Sequence, residues 1–170
     1  LVAKAKPDIV AIATPPALHL PILKSAMEAG AHVLCEKPLA MNRAEAVEML
    51  AIARRTGRAA ITGFNWRYPV ATREFRKQMD AGRLGRVFHV NGRWMSGGWA
   101  TESAAATWRM DRSIAGHGAL GDMGVHLVDM IRWLFGDFKR VLCLSGIAYP
   151  TRNAPSGAAP DAEDHATILA

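Results

Sequence analysis

The chain is poor in cysteine, with only Cys35 and Cys143, and it contains no G-x-G-x-x-G loop, no compact block of basic residues and no apolar run of membrane-spanning length. Each absence excludes something. Two cysteines, each inside an apolar strand-like run (32–35 and 141–144), rule out a disulfide scaffold and are expected to be buried, reduced thiols, the state a reducing cytoplasm maintains. A spanning helix needs about 18 consecutive apolar residues, so no membrane partner is expected, and no signal peptide is visible. A cytoplasmic location follows as the expectation, with an export signal left open because the chain starts Leu1-Val2 and not with methionine. The net charge of +6 is spread over scattered arginines, among them Arg43, Arg54, Arg73, Arg86 and Arg93. That spread argues against a nucleic-acid partner and leaves a diffuse attraction for anionic small molecules.

What is present is a regular alternation of elements. Residues 8–13 (DIVAIA) form a β-branched run stopped by Thr14-Pro15-Pro16, which reads as a central strand and a loop. Residues 19–29 carry Leu20, Leu23, Ala26 and Met27 at helical spacing, with Gly30 as the stop. A second strand is expected over 31–35. Asn42 then caps a helix with Glu45 as its reciprocal partner, and Ala46, Val47, Leu50, Ala51 and Ala53 form its apolar face. A third strand is expected over 59–63. Strand, helix, strand, helix, strand with short links predicts a parallel sheet covered by helices. The lack of a glycine-rich phosphate loop makes residues 1–68 the C-terminal half of a doubly wound Rossmann-type sheet.

From residue 69 to 170 the texture changes to a partial α+β domain with an open, mainly antiparallel sheet. A helix is expected over 70–81 and a long half-buried strand over 86–95, with Phe88, Val90 and Gly92 alternating against His89, Asn91 and Arg93. A Gly/Ser/Ala/Trp loop over 96–107 follows, then one helix over 116–135 with a glycine-rich start. Strands are expected over 139–148 and 161–169, separated by a linker over 151–159.

Glu36-Lys37-Pro38 closes the second apolar run. In open α/β sheets, ligands bind just beyond the carboxyl ends of the strands. Pro38 has no N–H and fixes its own φ, so the strand stops there and Lys37 is aimed at a crevice. Taken alone, Lys37 also fits a solvated strand-end charge.

Asp122, His126 and Asp129 fall at i, i+4 and i+7, on one face of the expected 116–135 helix. Such spacing suits a structural hydrogen-bonded pair, half of a metal site lacking a third ligand, or a proton-transfer pair in which a carboxylate tunes an imidazole. No metal site is expected, because His117 and His165 lack convincing spacing. Trp94, Trp99, Trp108 and Trp133 are candidates for stacking on a sugar ring. Trp133 sits at core spacing, and Trp108, beside Arg109, is the better ligand candidate.

The pieces DIVAIATPPALH, AMEAGAHVLCEKPLA, GFNWRYPV, AGRLGRV, GHGALGDMGVHLVDMIRWLFG and DAEDHATILA, in that order, resemble the Gfo/Idh/MocA oxidoreductases, relatives of glucose–fructose oxidoreductase and inositol 2-dehydrogenase. The resemblance implies a hydride transfer between NAD or NADP and a secondary alcohol of a sugar, cyclitol or related polyol. It implies Lys37 hydrogen-bonded to the reacting hydroxyl, His126 as general acid/base, and Asp122 binding a neighbouring hydroxyl or orienting the pair. Thr14, Pro15, Pro16, His19, Glu36, Lys37, Pro38 and Asn65 would lie along the cofactor. Arg67, Trp108, Arg109 and His117 would line the substrate side, with His117 standing where the family usually has glycine. It further implies about two strand–helix units before Leu1, most of the second sheet after Ala170, and a homo-oligomer, dimer or tetramer. The residue that separates NAD from NADP would lie upstream of Leu1, and the 170-residue chain alone is expected neither to hold a dinucleotide tightly nor to turn over. Other readings stay open: a redox-assisted glycoside hydrolase or another carbonyl reductase of the family, a nucleotide-sensing relative without turnover, and a metal-assisted hydrolase.

Overall fold

The computed structural model describes residues 2–98, 100–152 and 159–170. After a single helical turn, α1 (Val2–Ala5), the chain forms β1 (Ile9–Ile12), α2 (His19–Glu28), β2 (His32–Cys35), α3 (Arg43–Thr56) and β3 (Ala60–Thr62). The three strands are parallel in the order β1-β2-β3, with Ile12 opposite Cys35 and Cys35 opposite Thr62. Two further ladder bonds, from the Glu36 N–H to the Ile12 carbonyl and from the Gly63 N–H to the Cys35 carbonyl, 2.8 Å each, carry the sheet one step past the strand ends. The carboxyl ends of all three strands therefore meet at one edge, and Lys37 follows directly from it.

Successive right-handed crossovers place α2 and α3 on the same face of the sheet. Leu23, Ala26 and Met27 of α2, Met49 and Ile52 of α3, and Ile12, Val33 and Cys35 of the strands make the core. On the other face Ile9, Leu34 and Ile61 are exposed, so the expected helical cover lies on one side only among the described residues. The face of α3 also differs from expectation. Met49 and Ile52 point inward while Val47 and Leu50 are half exposed, because packing against α2 selects the 46/49/52/53 stripe. Asn42 caps α3 as expected, accepting from the Glu45 N–H at 3.0 Å, but the Glu45 carboxylate reaches back to the Met41 N–H rather than to Asn42.

The second part contains α4 (Val70–Asp80), a single turn α5 (Arg112–Ala115), α6 (Val125–Phe135) and an antiparallel pair, β4 (Leu142–Gly146) with β5 (His165–Leu169), in which Leu142 faces Leu169. The strand expected over 86–95 is not formed. A strand exists only as a ladder with a partner, no described segment pairs with this one, and Phe88 and Met95 are each 85% exposed. Cys143 is exposed rather than buried, and Leu142 and Leu144, which alternate to the other face of the strand, are exposed too, so neither face of β4 is covered among the described residues. Trp133 is half-buried beneath two guanidinium groups, Arg67 and Arg76, and is not a core residue. Residues 153–158 of the expected linker, and Trp99, lie outside the described residues.

The single helix expected over 116–135 is broken. Gly116 adopts φ +77°, and a wide π-turn over Leu120–Gly124 precedes α6. A π-turn inserts an extra residue into the helical repeat.

Leu23 is 1% exposed at the centre of the α2–sheet contact. Leu23→Ala is expected to lower unfolding stability of the full-length protein by about 2–5 kcal/mol. Urea denaturation checks this, and a loss under 1 kcal/mol would move the core elsewhere.

Candidate active site

The site is assembled where the strand edge meets the entry to α6. The Lys37–Pro38 peptide is cis. The Lys37 ammonium donates to the Asp122 carboxylate at 2.7 Å and to the Asp122 backbone carbonyl at 2.6 Å. The Arg109 Nε lies 3.4 Å from the other carboxylate oxygen of Asp122, so one carboxylate sits between two cations. A cavity of about 210 Å³ opens beside this cluster. Its walls include Thr14, Pro16, Glu36, Lys37 and Pro38 from the first part of the chain, and Trp108, Arg109, His117 and Asp122 from the second.

The other expected site residues lie outside the cavity wall. His19 is fully buried, with Nε2 2.8 Å from the Thr14 carbonyl and Nδ1 3.1 Å from the Leu39 carbonyl. It braces the Thr14-Pro15-Pro16 loop against the segment that follows Pro38. Pro15 is half-buried within that loop, and Asn65 is exposed at the start of a short 3-10 turn. Arg67 is held by Asp129 of α6 through a two-pronged ion pair, with Nε 2.7 Å from Oδ2, and its guanidinium lies 6.0 Å from the Phe64 ring centroid. This pair fastens the strand-end segment to α6. Trp108 carries the Arg109 guanidinium on its ring, 4.4 Å from the centroid.

His126 is 7% exposed, and its Nδ1 is buried without a hydrogen-bond partner among the described residues. Asp122 makes no hydrogen bond to it, being committed to Lys37 and Arg109. Instead the imidazole is packed among aromatic rings, stacked on Trp94 and edge-on to Trp66 and Phe64. Burial, and then the Lys37 charge, hold its pKa below the ordinary 6.5, against an opposing pull from Asp122, Asp129 and Glu36. The Cys35 thiol is pushed up to about 12 by burial and by Glu36, so it is an inert part of the core. Among the described residues no group of three His, Cys, Asp or Glu side chains is arranged to hold a metal ion.

Glu163 was invisible to sequence reasoning. It is 6% exposed, accepts from the Gly118 and Leu120 N–H groups at 2.8 and 3.2 Å, and pairs with Arg112 at 3.2 Å. Its own carbonyl accepts from the Ala119 N–H at 2.7 Å. The loop that delivers His117 and Asp122 is thus tied, through backbone amides, to the segment leading into β5. A Cβ at Gly118 would stand 1.8 Å from the Glu163 carbonyl oxygen, so only glycine allows this approach. The single sequence clue was the glycine-rich stretch itself, which asks for a close backbone neighbour without naming it.

A crevice at the carboxyl edge of parallel strands, closed by a lysine–aspartate bridge to the second part of the chain, lies where open α/β sheets take their ligands. Residues 1–64 match the oxidoreductase family NAD-binding Rossmann fold, and residues 72–170 match the GFO/IDH/MocA C-terminal domain. The chain belongs to the GFO/IDH/MocA family. It is 37% identical over 155 residues to levoglucosan dehydrogenase of Pseudarthrobacter phenanthrenivorans, covering 90% of this chain and 40% of that one. It is 32% identical over 135 residues to D-glucoside 3-dehydrogenase of Escherichia coli, covering 77% and 36%. A solved levoglucosan dehydrogenase in complex with NADH and levoglucosan superposes with a TM-score of 0.91 at 34% identity, over 95% of this chain and 43% of that one. The chain thus spans about two-fifths of the length of these relatives.

The strand edge carries a polar atom that fits a bound dinucleotide. The Thr14 hydroxyl at the end of β1 is buried with no partner among the described residues, a polar atom placed to meet a ligand. Gly63 leaves room under Glu36, where a Cβ would come within 3.2 Å of the carboxylate.

Gly118→Ala is expected to lower the melting temperature of the full-length protein, because the clash with Glu163 displaces the loop carrying Asp122. Differential scanning calorimetry measures the effect. An unchanged melting temperature contradicts the close approach.

Proposed function

We propose that the full-length protein is an NAD(P)-dependent oxidoreductase transferring hydride between a nicotinamide cofactor and a secondary alcohol of a sugar, cyclitol or related polyol. The observation that carries the reading is the Lys37–Asp122 bridge between the strand edge and the second domain, with the His126 ring buried close enough for the Lys37 charge to bear on its pKa. Oxidising an alcohol requires a cation to stabilise charge on the oxygen and a base to take its proton, and both must converge on one atom.

A bound nicotinamide supplies the hydride acceptor, or the donor in the reverse direction. Thr14, Pro15, Pro16, Glu36 and Asn65 would hold it along the strand edge. The Lys37 ammonium donates a hydrogen bond to the reacting hydroxyl and steadies developing negative charge. His126, kept neutral by its surroundings, receives the proton and returns it in reduction. Asp122 holds the Lys37 ammonium in place and accepts from a neighbouring substrate hydroxyl. Arg109 and His117 add donors along the same wall, and the wall's mixed charge suits a neutral, hydroxyl-rich molecule. Sugar dehydrogenases among the relatives support the substrate class.

Lys37→Ala and His126→Ala are each expected to reduce kcat by about 10² or more in steady-state assays of the full-length enzyme. Wild-type turnover in both variants removes them from the mechanism. The imidazole must be neutral to accept a proton, and its pKa lies below 6.5. For alcohol oxidation, the acid limb of kcat/KM should therefore be centred below 6.5. A limb centred above 6.5 contradicts that assignment.

A further inference from the structure

Trp94 was a candidate platform for a sugar ring, and the structure gives its indole another occupant. The ring lies 5.8 Å from the His126 imidazole, centroid to centroid, with the two planes only 19° apart. Trp66 meets Trp94 edge-on at 4.8 Å and also closes on the imidazole, at 6.4 Å. Phe64 completes the enclosure at 6.2 Å.

Among the described residues no ladder holds the segment that carries Trp94, so its seat is set by packing. Gly92 is what permits it: a Cβ there would lie 2.8 Å from Leu127 Cδ1, on the residue next to His126. The chain passes this close to α6 and then lays the indole over the imidazole. Trp94 lines no part of the cavity, whereas Trp108 does. The Nδ1 atom gives the imidazole no hydrogen bond to fix its plane, and neither Asp122 nor Asp129 supplies one, because Lys37, Arg109 and Arg67 hold them. A ring that must meet a proton along one direction needs its orientation held by something else.

We infer that Trp94 is a positioning residue, whose stacked indole fixes the plane of the His126 imidazole and excludes water from it. The inference rests on the reading of His126 as the acid/base group. The charged groups that bear on the imidazole are Lys37 and Glu36 from the strand-end turn, Asp122 from the π-turn and Asp129 from α6, with Arg67 neutralising Asp129. Removing the indole leaves all five in place and changes only the packing and hydration of the ring.

The test uses the full-length enzyme with Trp94→Phe, Trp94→Leu and Trp94→Met, the last filling most of the volume without an aromatic face. His126 is followed by NMR titration of its ring protons, alongside steady-state kinetics. Loss of the stack should move the His126 titration upward toward 6.5 and lower kcat about ten-fold, with the sugar KM changing less than about two-fold, and Trp94→Phe should restore most of both. Unchanged titration and kcat with a raised KM would overturn the inference and return Trp94 to the substrate. If Trp94→Leu does not fold, Trp94→Met gives the same comparison. His126→Asn separates the two claims: full activity in that variant sinks the acid/base role, while the titration of Trp94 variants still reports on the stack.

Discussion

The structure depends on one half-buried ion pair. Lys37 ends a turn that parallel pairing and Pro38 place at the strand edge, and its ammonium crosses to Asp122, where it meets both the carboxylate and the backbone carbonyl. Side-chain exposures of 18% and 21% put the pair between solvent and core. There, removing one partner leaves the other charge poorly solvated. Arg109 on the far side of the carboxylate keeps Asp122 from being neutralised by one cation alone. The cavity, the placing of His117 and the nearness of His126 all follow from holding this bridge in register.

Each part of the bridge has its own support. His19 ties the Thr14 loop to the backbone after Pro38, so that loop and the lysine turn are held together. Glu163 ties the glycine loop to the segment leading into β5, and Arg67 with Asp129 fastens the strand-end segment to α6. Two carboxylates at i and i+7 that share a helix face on paper thus do separate work. Asp122 serves the lysine and Asp129 serves an arginine, and the histidine between them is left to aromatic neighbours.

The parallel half was legible because its signals are local. Continuous apolar runs ended by Pro15-Pro16, Glu36-Lys37-Pro38 and Gly63 mark parallel strands, and Asn42, with Glu45 three residues on, announces the helix that starts at the next residue. The Lys37, Asp122 and His126 trio was visible through motif resemblance. The rest depends on distant partners. Alternation over 86–95 looks like a strand, yet a strand needs a neighbour to pair with. Apolar residues at 47 and 50 look like a helix face until α2 selects another. Glu163 carries no local mark, since its meaning lies in amides some forty-five residues away. Trp94 reads as a sugar platform because nothing in the sequence shows an imidazole beneath it.

The most direct test is a double-mutant cycle on kcat/KM of the full-length enzyme with Lys37→Ala, Asp122→Ala and the pair together. If the two residues act as one unit, the double variant loses little more than the worse single variant, leaving a coupling of about 1–3 kcal/mol. Losses that add within about 0.5 kcal/mol would show that the bridge is incidental to turnover and would contradict the account.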